Sequence, residues 1–151
     1  MLTEGGEFYR AEGSTLEVRH AGGSYHPVSL PEGVMRFHMT RRTLTPITAN
    51  NSASLFALEG DLRLVEFHSK ANALTDESME IVAAAAADHG KGIIIHNDAQ
   101  HFSAGVDLNA FRDYIEAEDW DGIDGFLDRF QKAVCALKYT PVPVVGAPSG
   151  L

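Results

Sequence analysis

The chain has 151 residues, 44% of them hydrophobic, and its 21 acidic and 12 basic residues give a formal net charge of −9. This length and composition suffice for a domain with its own core and exclude wholesale disorder. The acidic balance argues against nucleic acid or an anionic membrane surface as the main partner. No secretory signal pattern is present and no apolar run approaches the roughly 20 residues of a membrane span, so a cytoplasmic protein is expected.

Residues 1–50 are rich in glycine and polar residues and predict a small β-rich or irregular joint segment. Short strands are expected at 7–10, 15–20 and 25–29, separated by turn signals. Residues 34–42 are compatible with either a short helix or an extended linker. Such a segment buries little by itself, so we expect it to dock on another part of the protein or to serve as a linker.

Residues 51–151 predict an α/β domain in which strand and helix patterns alternate. Thr75 or Asp76 is expected to cap the first helix, and Gly90 is well placed to end it. The order of elements leaves room for crossover connections between parallel strands. In chain order the prediction is strands at 54–57 and 62–67, a helix at 76–88, a strand at 93–95, a helix from 108, a helix with apolar positions at 123–137, and a strand from 143.

Three further features favour structural roles over chemical ones. The single cysteine, Cys135, excludes an intramolecular disulfide, and its apolar helical surroundings predict burial. Trp120, within an acidic run, is expected to pack locally rather than to anchor a neighbouring subunit. Polar residues between two predicted elements have no established metal-ligand spacing, so a solvated loop is expected there and no metal: His96, Asp98, His101 and Asp107.

The run Phe-Ser-Ala-Gly-Val-Asp-Leu at 102–108 carries the strongest chemical signal. It connects a predicted strand to a predicted helix, where small residues leave backbone N–H groups exposed beside the positive end of the helix dipole. Gly105 permits a tight turn, and Asp107 could cap the helix. Such a turn can hold a phosphate or stabilise an oxyanion.

This run is the second of three motifs that occur in a recognisable order. The first is Lys70-Ala71-Asn72-Ala73-Leu74, and the third is Thr-Pro-Val-Pro-Val-Val-Gly-Ala-Pro-Ser-Gly at 140–150. Together they resemble the N-terminal half of the crotonase (enoyl-CoA hydratase/isomerase) family. Shorter runs, such as Phe8-Tyr9-Arg10, resemble the crotonase-like C-terminal region of long bacterial 3-hydroxyacyl-CoA dehydrogenases. The resemblance implies a partial ββα spiral over 51–151, preceded by the joint segment.

The resemblance also implies an acyl-CoA site. By motif position, the backbone N–H of Val106 would be the first oxyanion-hole donor, and the Ala104 carbonyl would face the adenine of coenzyme A. Two positions depart from the family pattern, since Asn109 stands where many relatives carry lysine and Ser149 where asparagine is usual. The residues that would contact coenzyme A are Lys70, Asn72, Ala73, Ala104 and Gly105.

The family's second oxyanion donor and its two catalytic carboxylates would follow Gly150. We therefore expect a fragment of a fatty acid β-oxidation enzyme that is inactive alone, or alternatively a non-catalytic crotonase-like interaction or assembly module. The sequence contains no Gly-x-Gly-x-x-Gly motif, so NAD would be bound only by a parent protein. Because a partial spiral exposes apolar surface and strand edges, we also expect self-association or association with the remainder of the parent.

Overall fold

The computed structural model describes residues 7–13, 15–97 and 99–149. The chain forms two compact units, Met1–Thr45 and Pro46–Leu151. Among the described residues, no helix combines the length and the apolar character needed to cross a membrane.

The first unit contains a three-stranded antiparallel sheet and one short helix. Arg10 and Glu17 face each other across two strands and form an ion pair, and the Arg10 guanidinium lies 4.3 Å from the centre of the Tyr25 ring. Residues 34–42, for which the sequence allowed two conformations, include the helix. The elements are β1 (Tyr9–Glu12), β2 (Thr15–Arg19), β3 (Tyr25–Pro27), α1 (Phe37–Thr40) and a 3-10 turn at Arg41–Thr43.

The second unit has the predicted order of strand, strand, helix, strand, helix, helix and strand. It also has a two-residue strand at its start that the sequence did not reveal. The elements are β4 (Thr48–Ala49), β5 (Ala53–Leu58), β6 (Leu62–Phe67), a 3-10 turn at Lys70–Asn72, α2 (Asp76–Ala87), β7 (Gly92–His96), α3 (Leu108–Glu116), α4 (Trp120–Lys138) and β8 (Val144–Ala147).

These strands form one mixed sheet in the order β4-β5-β6-β7-β8. The pairs β4–β5 and β5–β6 are antiparallel, whereas β6–β7 and β7–β8 are parallel. Parallel neighbours need crossover connections, which α2 supplies between β6 and β7, and α3 with α4 between β7 and β8. The carboxyl ends of the three parallel strands therefore share one edge, and the loops that leave β6 and β7 at this edge carry the first two predicted motifs.

The core lies between one face of this sheet and helices α2 and α4. Leu55, Val65 and Ile93 are at most 1% exposed and belong to the same apolar cluster as Val82 of α2 and Ala133 of α4. Complete burial of one such aliphatic side chain from the sheet is worth about 1.5–3 kcal/mol relative to exposure. This packing holds the parallel strands, and hence their carboxyl-end loops, in a fixed register.

Local signals in the sequence define both ends of α2. Thr75 is the N-cap, because its hydroxyl accepts the Ser78 N–H at 3.2 Å while the Ser78 hydroxyl accepts the Thr75 N–H at 3.2 Å. Beyond the other end, Gly90 adopts φ +53°, and a Cβ atom there would collide with the Asp61 carbonyl oxygen. A glycine is therefore required where the chain turns from α2 into β7.

Two expectations about α4 are wrong. Cys135 is exposed, not buried, because it lies two residues, or about 200°, from the inward-facing Ala133 on a helix of 3.6 residues per turn. Trp120, expected to pack locally, is 64% exposed at the start of the helix. The core covers only the side of α4 that includes Phe126 and Ala133, so apolar residues elsewhere on this helix stay in contact with solvent.

Candidate functional site

The turn after β6 has an unusual backbone conformation. Ala71 and Asn72 are consecutive non-glycine residues with positive φ, at 54° and 51°. Each such residue costs about 1–2 kcal/mol relative to the right-handed conformation. Hydrogen bonds offset this cost, since the Asn72 N–H donates to the Ser69 carbonyl at 2.9 Å and the buried Asn72 side chain donates to the His101 carbonyl at 2.8 Å.

This turn pairs with the loop that carries the Ala-Gly-Val-Asp motif. The Leu74 N–H donates to the Gly105 carbonyl at 2.8 Å, and the Leu74 carbonyl accepts the Asp107 N–H at 2.9 Å. Leu74 and Val106 thereby form an isolated parallel β-bridge. The first and second motifs, separated by about 30 residues in sequence, are thus in direct contact.

Two further hydrogen bonds fix the start of the second motif. The Ala104 N–H donates to the Ala71 carbonyl at 3.1 Å. The Ser103 hydroxyl donates to the Asn72 carbonyl at 2.8 Å and accepts the Gly105 N–H at 3.0 Å. Backbone and side chain therefore hold the two motifs together on both sides of Gly105.

The geometry of the bridge leaves the backbone amide of Val106 available. In this parallel bridge Leu74 contributes both hydrogen-bonding groups, so the N–H of its counterpart points away from it. Among the described residues, no hydrogen bond uses the Val106 N–H. Gly105, at φ +83°, makes the turn before it, and the Asp107 carboxylate caps α3 by accepting the Asn109 N–H at 3.0 Å. The result is one unpaired backbone donor close to a helix N-terminus.

Asn97 is a positioning residue that the sequence analysis missed. It follows β7, is 1% exposed, and its amide oxygen accepts the Phe67 N–H at 2.8 Å while its amide nitrogen donates to the Phe102 carbonyl. It therefore ties the end of β6 to the first residue of the second motif. Its only sequence signal is a polar residue directly after an apolar strand, which is too common to single it out.

No family model matches the chain. Its whole length is similar to a protein of Bacillus subtilis described as a probable 3-hydroxyacyl-CoA dehydrogenase, with 31% identity over 157 residues. The chain spans 20% of the length of that relative.

Solved structures identify the fold. An enoyl-CoA hydratase from Shewanella pealeana and an enoyl-CoA hydratase/isomerase from Mycobacterium paratuberculosis each superpose with a TM-score of 0.55 at 18% identity. The superpositions cover 63% and 65% of this chain and 38% and 41% of those two chains. The chain has a partial crotonase fold. The resemblance predicted from the three motifs is thereby confirmed, both for the fold and for the relation to a 3-hydroxyacyl-CoA dehydrogenase.

Within the crotonase fold, the residues predicted to contact coenzyme A differ in accessibility. Lys70, Ala104 and Gly105 are exposed, and Ala73 is half-buried. Asn72 is only 7% exposed, and its side chain is occupied by the His101 carbonyl. Four of the five positions are thus at least partly accessible to solvent, whereas the Asn72 side chain bonds to the neighbouring loop.

The end of the third motif lies at the same sheet edge as the first two, whereas its first residues precede β8 at the opposite edge. Val144–Ala147 forms β8, with Gly146 opposite Ile95 of β7, and a His96 ring nitrogen lies 2.7 Å from the Ala147 carbonyl oxygen. Gly150, the last residue of the motif, and Asp98, one of the polar residues weighed as metal ligands, lie outside the described residues. In the described part of the chain, no group of three or more acidic, histidine or cysteine side chains is arranged to hold a metal ion.

Proposed function

We propose that this chain provides the coenzyme A-binding turn and the first oxyanion-hole amide of an acyl-CoA site of the fatty acid β-oxidation type. The observation that carries the proposal is the Val106 N–H, which is unpaired among the described residues although hydrogen bonds hold both of its neighbours. The partial crotonase fold and the similarity to a 3-hydroxyacyl-CoA dehydrogenase support the substrate class.

The chemistry follows from the charge that develops on a thioester. Attack on an acyl-CoA, or its enolisation, places negative charge on the thioester oxygen. A backbone N–H already aimed at that oxygen stabilises the transition state by about 3 kcal/mol, because no reorganisation is needed during the reaction. The bridge to Leu74 and the Asp107 cap hold Val106 in place and supply this preorganisation.

The neighbouring residues have complementary roles in binding. Lys70 offers a mobile positive charge for a phosphate group of coenzyme A. Ala73, Ala104 and Gly105 have little or no side chain, so the ligand can approach their backbone closely. Asn72 contributes indirectly, because its side chain fixes the His101 carbonyl and thus the loop that contains Ala104 and Gly105.

We further propose that the 151-residue polypeptide, tested alone, binds acyl-CoA at most weakly and does not hydrate it. Hydration needs a second oxyanion donor and an acid–base pair, and no carboxylate of this sequence matches the family's catalytic positions. In the same proposal NAD is bound by a parent protein and not by this chain, and the setting is the cytoplasm. Measurable turnover of crotonyl-CoA by the purified chain would overturn the proposal of inactivity.

The binding site is tested by a nitrogen–proton NMR titration with acetoacetyl-CoA. We expect chemical-shift changes at the amides of Asn72, Ala104, Gly105 and Val106. Gly105→Ala should weaken binding at least fivefold, because an L-residue at φ +83° is strained. No atom lies within 4 Å of the added Cβ, so the expected loss comes from the backbone and not from a steric clash.

Gly60→Ala is the matched control, since Gly60 also has a positive φ, at +77°, and its added methyl group also meets open space, but it lies in the turn between β5 and β6, outside the three motifs. This variant should bind as the wild type does. A folded wild-type chain whose 104–106 amides do not shift would refute the acyl-CoA proposal.

A further inference from the structure

A continuous line of exposed side chains runs along α4 on a side that the core does not cover. Its apolar members recur every seventh residue: Trp120, Leu127 and Val134 are 64%, 42% and 56% exposed. This spacing places all three on one face of the helix. Large apolar side chains aligned in this way on a surface indicate a protein contact more often than isolated ones do.

The polar members of the same line are also regularly spaced. Asp124, Gln131 and Lys138 each follow an apolar member by four residues, and all three are exposed. We call these six residues the α4 stripe. The stripe is acidic towards its N-terminal end, neutral in the middle and basic at its C-terminal end. Its 19 residues, from Trp120 to Lys138, span about 27 Å at a rise of ~1.5 Å per residue.

We propose that two copies of this chain associate through the α4 stripe in an antiparallel, two-fold symmetric arrangement. A two-fold contact requires a surface that is complementary to itself when it is reversed. The stripe meets this condition, because reversal places the acidic end with Asp124 beside the basic end with Lys138 and keeps Leu127 near the centre.

The charges select the antiparallel arrangement over the parallel one. In a parallel pair, Asp124 of each copy would lie beside Asp124 of the other, and Lys138 beside Lys138. In the antiparallel pair, opposite charges meet at both ends, and the Trp120 ring of one copy comes close to the Lys138 ammonium of the second, which favours a cation–π contact. The opposed helix dipoles add to this preference.

The association is tested by sedimentation velocity of the full 151-residue chain over a range of concentrations. We expect a concentration-dependent monomer–dimer equilibrium. Leu127→Asp should raise the dissociation constant at least tenfold, because two carboxylates would then face each other near the symmetry axis. Ile47→Asp is the matched control, since Ile47 is 48% exposed in the same unit but lies outside the stripe.

Exchanging the charges at the two ends of the stripe distinguishes this proposal from non-specific hydrophobic association. Lys138→Glu alone should weaken the dimer, and the double variant Asp124→Lys/Lys138→Glu should restore it, because both ends reverse together. Far-UV circular dichroism establishes that each variant is folded. A wild-type chain that is monomeric throughout, a trimer, equal loss with Ile47→Asp, or failure of the double variant to restore association would each overturn the proposal.

Discussion

Replacing Asn97 with alanine tests how the two parallel strands hold the candidate site. The side chain is 1% exposed and makes two hydrogen bonds to backbone groups, accepting from Phe67 and donating to Phe102. Asn97→Ala removes both, and nothing in the shortened side chain replaces them. The cost is then set by the two backbone groups that lose their partner.

The two groups differ in burial. The Phe67 N–H is buried at the end of β6, so leaving it unsatisfied should approach the upper part of the range of about 1–3 kcal/mol per group. The Phe102 carbonyl is in a partly exposed loop, so leaving it without the Asn97 donor should cost a free energy near the lower end of that range. We therefore expect Asn97→Ala to lower the free energy of unfolding by roughly 2–4 kcal/mol.

The measurement is urea unfolding followed by circular dichroism at 222 nm, which reports on the helices of the second unit. Asn109→Ala is the control, because Asn109 is exposed and, among the described residues, its side chain bonds only to the nearby Asp107 carboxylate. That variant should remain within about 0.5 kcal/mol of the wild type. A loss below about 1 kcal/mol for Asn97→Ala would refute the view that this side chain is the main tie between β6 and the motif loop.

Three other predictions concern the scaffold. In urea unfolding, Gly90→Ala should lower the free energy of unfolding by about 1–3 kcal/mol more than Gly60→Ala does. Both glycines have a positive φ, but only at Gly90 does an added Cβ collide with a backbone oxygen. Equal losses for the two variants would contradict this explanation. Thr75→Ala should lower the free energy of unfolding by about 1 kcal/mol, because α2 loses its N-cap. Thr75→Ser keeps a capping hydroxyl and should retain most of the stability. Hydrogen bonds from Arg63, at 2.9 and 3.1 Å, lower the pKa of Asp88. The stabilisation that these hydrogen bonds give the folded protein is therefore fully present above the ordinary aspartate pKa of about 4. It is lost as the pH falls through the lower pKa that Asp88 has in the folded protein. Asp88→Asn should flatten the acid limb of the stability–pH profile, and an unchanged limb would contradict this account.

The sequence by itself predicts the order of the elements and the location of the motifs. The strand pattern over 62–67 and the cap at Thr75 act within a few residues, so each is visible in a short window. Gly90 is also visible as a helix-ending residue, although the Asp61 carbonyl that requires a glycine there is distant in the sequence. The run 102–108 likewise shows a strand-to-helix turn with small residues. The resemblance to crotonases depends on these local patterns and on their order along the chain.

The tertiary structure alone decided which distant residues meet and which faces stay exposed. The bridge between Leu74 and Val106, and the tie that Asn97 makes to Phe67, both depend on the register of the parallel strands. The exposure of Cys135 and Trp120 depends on which side of α4 the core covers. A local pattern can specify a helix and its apolar positions, but burial is set by the elements packed around that helix, and these come from distant parts of the chain.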